Sequence, residues 1–268
     1  EAALGSPGYT GRIPRSAATM ARLLKDTGYN TMAVGKWHLV PRTETSAAGP
    51  FDRWPLGVGF EKYYGFLGSE TSQWAPELGR DNHHVEAPAT PEEGYHLTED
   101  LVDETIRMIQ DQQQATTRKP FFAYLATGAA HAPHQVAPEW VEPYRGAFDH
   151  GWEAYREEVF ARQVAAGVVP EDTVLTPRPS WVPEWSTLSE EQQRLYARYM
   201  EVFAGFMTHT DHHLGRLFDF LEEIGVAEDT VVMILSDNGA SAEGGPTGTP
   251  NEAAGWVGLQ ADEEPALG

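Results

Sequence analysis

The sequence contains no cysteine, and its 268 residues carry only 19 lysines and arginines against 40 aspartates and glutamates. The absence of cysteine excludes disulfides, thiolate zinc sites and a cysteine nucleophile within this chain. The formal net charge of −21 argues against nucleic acid as a partner, because phosphate binding needs clustered basic side chains. The same charge argues against an anionic membrane surface. The sequence also has no apolar run long enough to span a bilayer.

Hydrophobic residues make up 41% of the chain, and 26 glycines and 19 prolines accompany them, which is typical of a globular protein with generous loops. The chain starts at Glu1 rather than at a methionine and ends in an unpatterned tail, so we expect a fragment or a processed chain. In such an acidic protein, an anionic small molecule would need a local positive pocket. The sequence predicts neither the oligomeric state nor the cellular location.

Hydrophobic periodicity predicts helices and strands that alternate along the chain. Their approximate ranges are 17–26 (helix, with Ser16 as N-cap), 30–35 (strand), 98–114 (helix), 121–126 (strand), 189–224 (helix) and 229–235 (strand). This order predicts an α/β fold with a mostly parallel sheet that is covered by helices on both faces.

Two further stretches lack this alternation. Residues 40–96 have weak periodicity and scattered aromatic side chains, and we interpret them as a long loop region packed over the sheet. Residues from about 137 to 188 are rich in proline and tryptophan, and we predict that they form an insertion with a helix at about 152–166.

Polar residues of catalytic type follow three of the predicted strands. They are Lys36 and His38, then His131 and His134, and then Asp237 and Asn238. Because the carboxyl ends of parallel strands lie at one edge of a sheet, we expect these side chains to share a site.

The residue types at these strand ends fit an anionic substrate and a cation. Lys36 and His38 are two residues apart and would project to the same side of an extended chain. A cation and an imidazole side by side suit an anionic substrate that undergoes proton transfer. Asp237 and Asn238 offer the hard oxygen ligands that Ca²⁺ or Mg²⁺ prefers, although other residues must complete the shell. Each motif also has a structural explanation, such as packing at a strand end or an Asp-Asn-Gly turn. Their repetition at three strand ends favours a functional site.

The long predicted helix carries two adjacent histidines, His212 and His213. Neighbouring helix positions face about 100° apart, so the two rings are poorly placed to bind one ion. We therefore interpret them as partly exposed or capping groups.

These motifs resemble those of the type I sulfatases, which have the alkaline phosphatase-like fold. The similar motifs are Gly35-Lys36-Trp37-His38-Leu39, His131-x-Pro133 followed by Gln135, Ser236-Asp237-Asn238-Gly239, and Asp211-x-x-Leu214-Gly215-x-Leu217. Residues 151–167 and 236–248 further resemble a large bacterial arylsulfatase subfamily. The resemblance implies that residues 1–268 are the central part of one sulfatase catalytic domain, truncated at both ends.

The resemblance also implies a function, that of a sulfuric ester hydrolase which converts aryl or other organic sulfate esters to alcohol and sulfate. Lys36 would contact the sulfate and hold the nucleophile, and His38 would serve as the base that later expels sulfate. His131 would contact the sulfate near the leaving oxygen. Asp237 and Asn238 would bind a divalent cation, usually Ca²⁺ and alternatively Mg²⁺. His134 is expected to have a packing or rim role.

The sequence departs from the family pattern in three places. The Cys/Ser-x-Pro-x-Arg motif that yields formylglycine is absent, and Ser6–Arg12 is only superficially similar because its proline falls one position early. The early paired aspartates of the family are also absent. The later active-site lysine is absent too, since the last lysine of this chain is Lys119. We therefore expect the formylglycine nucleophile to lie outside this chain, and this chain alone to be inactive.

Two alternatives remain open at this point. The first is a phosphoryl-transfer enzyme of the same fold, although many such relatives have histidine where this chain has Asn238. The second is a catalytically inactive homologue that binds sulfated ligands without turnover.

Overall fold

The structure is a computed structural model that describes residues 12–115, 119–236 and 244–251. The chain divides into two compact units. Unit 1 comprises residues 1–135 and 209–232, and unit 2 comprises residues 136–208 and 233–268. The predicted insertion over residues 137–188 stays a prediction.

Five strands and five α-helices lie in the described residues. The strands are β1 (Asn30–Lys36), β2 (Lys62–Phe66), β3 (Leu78–Arg80), β4 (His83–Val85) and β5 (Phe121–Ala126). The helices are α1 (Met20–Asp26), α2 (Leu97–Ala115), α3 (Pro138–Val141), α4 (Gly151–Ala165) and α5 (Glu190–Glu223). Short 3₁₀ turns occur in several of the connections.

Unit 1 is built around one sheet with the strand order β4-β3-β2-β1-β5. The three longer strands are parallel, since β1 pairs with β2 on one side and with β5 on the other. The short strands β3 and β4 add an antiparallel extension to β2. The predicted α/β class with a mostly parallel sheet is confirmed.

Each face of the sheet is covered, because alternate residues of β1 point to opposite sides. Val34 belongs to a buried cluster that contains Leu101 of α2 and Leu217 of α5. Ala33 lies on the opposite face, in a cluster that includes Ala21 of α1. The sheet is therefore enclosed between two apolar layers, as parallel sheets require.

Three predictions about local structure are wrong. The loop region predicted over residues 40–96 contains β2, β3 and β4, whose lengths of five, three and three residues are too short to show a clear period. Helix α1 begins at Met20 rather than at residue 17, because the Thr19 hydroxyl caps it by accepting from Arg22 N at 3.1 Å.

The third error concerns the strand predicted over residues 229–235. Residues 231–236 form no strand in the described structure, and the side chains of Ile234 and Leu235 are 81% and 88% exposed. An apolar, β-branched composition favours a strand only where a neighbouring strand supplies hydrogen bonds and packing. Among the described residues, no strand pairs with this segment.

The three parallel strands approach each other most closely at a pair of glycines near their carboxyl ends. A Cβ atom added to Gly35 would lie 1.8 Å from the carbonyl oxygen of Ala126, and one added to Gly65 would lie 2.1 Å from the carbonyl oxygen of Gly35. Both glycines have positive φ, +100° and +153°. Only glycine combines this backbone geometry with this spacing.

Unit 2 is stabilised by aromatic contacts around the start of α4. The Trp152 ring lies edge-on to Trp185 at 4.9 Å and stacks near Tyr196 at 6.1 Å. Gly151 precedes Trp152, and a Cβ there would lie 2.3 Å from the Trp185 ring. These residues are packed, whereas Trp181 remains exposed.

In the part of the chain that the structure describes, no helix combines the length and the apolar character needed to cross a membrane.

Substituting Gly35 with alanine should destabilise unit 1 by at least about 3 kcal/mol, because the new methyl group clashes with the β5 backbone at a left-handed φ. Gly215 in α5 is the matched control, since nothing lies within 4 Å of its Cβ position. Gly215→Ala should be neutral or stabilising by up to about 1 kcal/mol. Urea unfolding followed by circular dichroism measures both changes, and an unchanged midpoint for Gly35→Ala would contradict the strand spacing described here.

Candidate active site

The candidate site lies at the carboxyl edge of β2, β1 and β5. Lys36 is the last residue of β1 and is in register with Phe66, the last residue of β2. Gly35 is in register with Ala126, the last residue of β5. The loops that follow the three strands therefore start side by side, with the loop after β1 in the middle.

The segment after β1 is tied to the segment after β2 by backbone hydrogen bonds. Trp37 N donates to the carbonyl oxygen of Phe66 at 2.9 Å, and His38 N donates to that of Leu67 at 3.2 Å. The Trp37 ring is buried, and its Nε1 donates to the carbonyl oxygen of Arg53 at 2.9 Å. The buried tryptophan thus anchors the stretch between the two predicted site residues.

His38 is exposed and has a φ of +48°. The prediction that Lys36 and His38 project together assumed an extended chain, but β1 ends at Lys36. A non-glycine residue in the left-handed region is strained by about 1–3 kcal/mol and is a frequent feature of functional sites.

His131 follows β5 and is half-buried. Its Nδ1 lies 2.9 Å from the carbonyl oxygen of Ala132 and 3.5 Å from Oε2 of Glu70. Glu70 belongs to the loop after β2, so the loops on either side of β1 meet at this point. His134, in the same loop as His131, is exposed, and its Nε2 lies 3.0 Å from the carbonyl oxygen of Ala130.

Gln135 fixes the loop that carries His131. Its Oε1 accepts from Ser72 Oγ at 3.1 Å and from Gln73 N at 2.8 Å. Gln73 is buried against Gly128, where an added Cβ would lie 2.7 Å from Nε2 of Gln73. The loops after β2 and β5 are therefore joined by polar contacts as well as by the Glu70–His131 pair.

A stack of buried histidines lies behind this loop. His96 Nε2 donates to the carbonyl oxygen of Gln135 at 2.9 Å, while its Nδ1 accepts from Thr98 N at 3.2 Å. The ring of His96 lies 4.2 Å from that of His209, which lies 4.4 Å from that of His213.

Burial lowers the pKa of each histidine in the stack, because charged imidazole is poorly solvated there. The pKa of His209 falls to about 3, with further contributions from His96 and His213. The pKa of His213 falls to about 4, and Arg216, which donates to its Nδ1 at 2.9 Å, is the second cause. The interpretation of His213 as partly exposed is therefore wrong: it faces the core.

The predicted metal ligands Asp237 and Asn238 lie outside the described residues. Within the described ranges, no group of three or more histidine, aspartate or glutamate side chains is arranged to hold a metal ion. The histidine stack is thus a set of packed rings with lowered pKa values.

Sequence reasoning missed Glu70 and Gln73, because both fall in the stretch that was interpreted as loop. The apolar and aromatic run Tyr63-Tyr64-Gly65-Phe66 was the available signal for a strand, and polar residues follow it as they follow β1 and β5. His96 was missed as well, and nothing in its local sequence marks it as buried.

The family model described as "Sulfatase" matches residues 2–262. The chain is 34% identical to an arylsulfatase of Klebsiella aerogenes over 257 residues, which are 90% of this chain and 51% of the relative. It is 30% identical to an uncharacterized sulfatase of Schizosaccharomyces pombe, over 88% of this chain and 43% of the relative. The chain thus spans about half the length of these curated relatives.

Solved structures share the fold at low sequence identity. The Bacteroides fragilis protein yidJ has a TM-score of 0.54 at 16% identity, over 82% of this chain and 43% of that one. The protein BT4656, solved with its substrate D-glucosamine-2-N,6-O-disulfate, has a TM-score of 0.51 at 18% identity, over 81% of this chain and 49% of that one.

The histidine stack should make unit 1 sensitive to acid. Folded-state pKa values of about 3 and about 4 lie below the ordinary value of 6.5, so only the unfolded chain takes up these protons as the pH falls below 6.5. Stability is therefore full above pH 6.5 and should fall towards pH 4, by about 2 kcal/mol per histidine at pH 5.

Unfolding measured between pH 7 and pH 5 tests this dependence. His209→Gln should reduce its slope, whereas His83→Gln, at an exposed position in β4, should leave the slope unchanged. Equal slopes in the wild-type chain and in His209→Gln would show that the stack does not control acid stability.

Proposed function

Because this chain belongs to the sulfatase family, we propose that the protein containing it hydrolyses small organic sulfate esters to an alcohol and sulfate. The observation that carries the proposal is the parallel pairing of β1 with β5, in which Gly35 is in register with Ala126. This pairing starts the Lys36–His38 segment and the His131 loop at one edge of the sheet, where α/β proteins place their ligands.

In this proposal, three side chains act on the ester. Lys36 offsets the negative charge that develops on the sulfuryl oxygens as the S–O bond breaks. His131 lies near the leaving oxygen and supplies its proton, and His38 removes a proton when sulfate is later expelled. The half-buried setting of His131 supports its role, because a partly dehydrated site strengthens each of these interactions.

Two further components are proposed outside the described residues. A formylglycine, expected from outside this chain, would supply the hydroxyl oxygen that attacks sulfur. Asp237 and Asn238 would bind Ca²⁺, because a carboxylate and an amide oxygen are the donors this ion prefers. No step in the roles of Lys36, His38 and His131 depends on the geometry of that ion.

The direct test uses the full-length protein that contains this chain, produced together with a formylglycine-generating enzyme. It should hydrolyse nitrophenyl sulfate and should be at least about 100-fold less active on nitrophenyl phosphate. Residues 1–268 alone should hydrolyse neither ester. A preference for the phosphate ester would support the phosphoryl-transfer alternative and overturn the proposal.

Lys36→Ala should lower kcat/KM for nitrophenyl sulfate by about 10²–10³-fold, because it removes one charged contact to the sulfuryl group. Lys62 is the matched control, since it is an exposed lysine at the start of β2, at the opposite edge of the sheet. Lys62→Ala should retain wild-type activity. Equal kinetics for the two variants would remove Lys36 from the site.

Calcium binding to the full-length protein should depend on Asp237. Asp237→Asn should weaken Ca²⁺ binding by at least about tenfold in a calorimetric titration, because one formal charge is lost from the ligand set. Asp229→Asn, at an exposed position shortly before it, is the control and should bind Ca²⁺ as tightly as the wild type. Unchanged binding in Asp237→Asn would place the ion elsewhere.

A further inference from the structure

Glu70 contacts His131 at the edge of the sheet where the candidate site lies, although none of the family motifs contains Glu70. The Glu70 Oε2 atom lies 3.5 Å from His131 Nδ1, and the two side chains are 23% and 29% exposed. The pair joins the loop after β2 to the loop after β5, on either side of the strand that ends in Lys36.

The surroundings of Nδ1 determine which ring nitrogen carries the proton in neutral His131. Nδ1 faces two acceptors, the Ala132 carbonyl oxygen at 2.9 Å and the Glu70 carboxylate. Both favour a proton on Nδ1, so Nε2 is the nitrogen that takes up and gives away the second proton. The carbonyl lies within hydrogen-bonding distance of Nδ1, and the carboxylate, which makes no hydrogen bond to the ring, favours the same orientation through its charge.

One oxygen of the Glu70 carboxylate is buried without a hydrogen bond to the described part of the chain. Its Oε2 atom is shielded from solvent, and it has no hydrogen-bond partner among the described residues. A shielded carboxylate oxygen is unfavourable unless a positive charge is nearby. The His131 ring nitrogen Nδ1, 3.5 Å from this oxygen, is the donor group that faces it.

We propose that Glu70 is a positioning residue for His131, which it orients and holds ready to protonate the leaving oxygen of the sulfate ester. The inference rests on the proposed function. As the S–O bond breaks, its electron pair goes to the leaving oxygen and the Nε2 proton of His131 follows, which releases the alcohol. The hydroxyl oxygen of the hydrated formylglycine would take the sulfuryl group and lose its proton to solvent, and the ring would stay neutral with its proton on Nδ1, between the Ala132 carbonyl oxygen and Glu70.

Comparing esters with different leaving groups tests the positioning role. If Glu70 were merely structural, its substitution would lower kcat equally for all leaving groups. Nitrophenolate leaves without much help, whereas an alkoxide needs a proton. In the full-length protein, Glu70→Gln should therefore lower kcat by about threefold or less for nitrophenyl sulfate and by about 30-fold or more for an alkyl sulfate. KM should change little for either ester.

Two comparisons sharpen this test. Glu77→Gln, at an exposed position in the same loop, should match the wild type with both esters. His131→Ala should show the same dependence on the leaving group as Glu70→Gln. The double variant should be little worse than His131→Ala, because residues that act as a unit are not additive.

The outcomes separate the two proposals. A wild-type protein without sulfatase activity would overturn the proposed function and with it the catalytic role of Glu70. An active protein in which Glu70→Gln loses equal activity on both esters would overturn the role of Glu70 alone. In residues 1–268, nitrogen chemical shifts of His131 should place the neutral-ring proton on Nδ1, and a proton on Nε2 would overturn the positioning geometry.

Discussion

The close approach of three parallel backbones at Gly35 is the constraint on which the candidate site depends. A side chain at this position would collide with the carbonyl oxygen of Ala126, and one at Gly65 would collide with Gly35 itself. The two glycines let the strands pack without side chains between them just before they end. The loops that carry Lys36, Glu70 and His131 therefore begin within a short distance of one another, and that proximity makes a polar site at this edge feasible.

Polar groups between α2 and the sheet are stabilised by pairing. Asp100 accepts from the hydroxyl groups of Tyr64 at 2.6 Å and Tyr95 at 2.9 Å, and burial raises the pKa of all three groups. Arg80 pairs with Glu104 through two hydrogen bonds and lies over the Tyr64 ring. Buried polar groups persist only when such partners are present, and here they connect α2 to the sheet.

The sequence predicted the class of the fold because its long elements have strong periods. Helix α2 over Leu97–Ala115 and helix α5 over Glu190–Glu223 agree with their predictions within one or two residues, since each carries an apolar stripe over several turns. Strands β1 and β5 were also predicted, because buried parallel strands are continuous apolar runs. Strands β2, β3 and β4 were not predicted, because three to five residues are too few to show a hydrophobic period.

The candidate site could be predicted only in part, for a physical reason. Lys36, His38 and His131 are marked by strand ends and by motifs that sequence reading detects. Glu70 contacts His131, which lies 61 positions further along the chain. His96 contacts Gln135, which lies 39 positions further along. Such contacts arise from strand order, which a local pattern does not encode. Residues 231–235 show that strand order also matters for a correct strand prediction. This run has strand propensity but no pairing partner among the described residues, and it forms no strand.

Electrostatics then decides how an acidic chain could accept the proposed anionic ester at this edge. At physiological salt, charges more than about 8 Å apart are largely screened, so the groups within the site outweigh the net charge of −21. A glutamate among those groups would by itself repel a sulfate ester. Its carboxylate lies 3.5 Å from the Nδ1 of His131, however, so in the proposed site it would act on the ester through the ring. With its carboxylate beside the ring, Glu70 is compatible with the proposed chemistry, and so is the acidity of the chain.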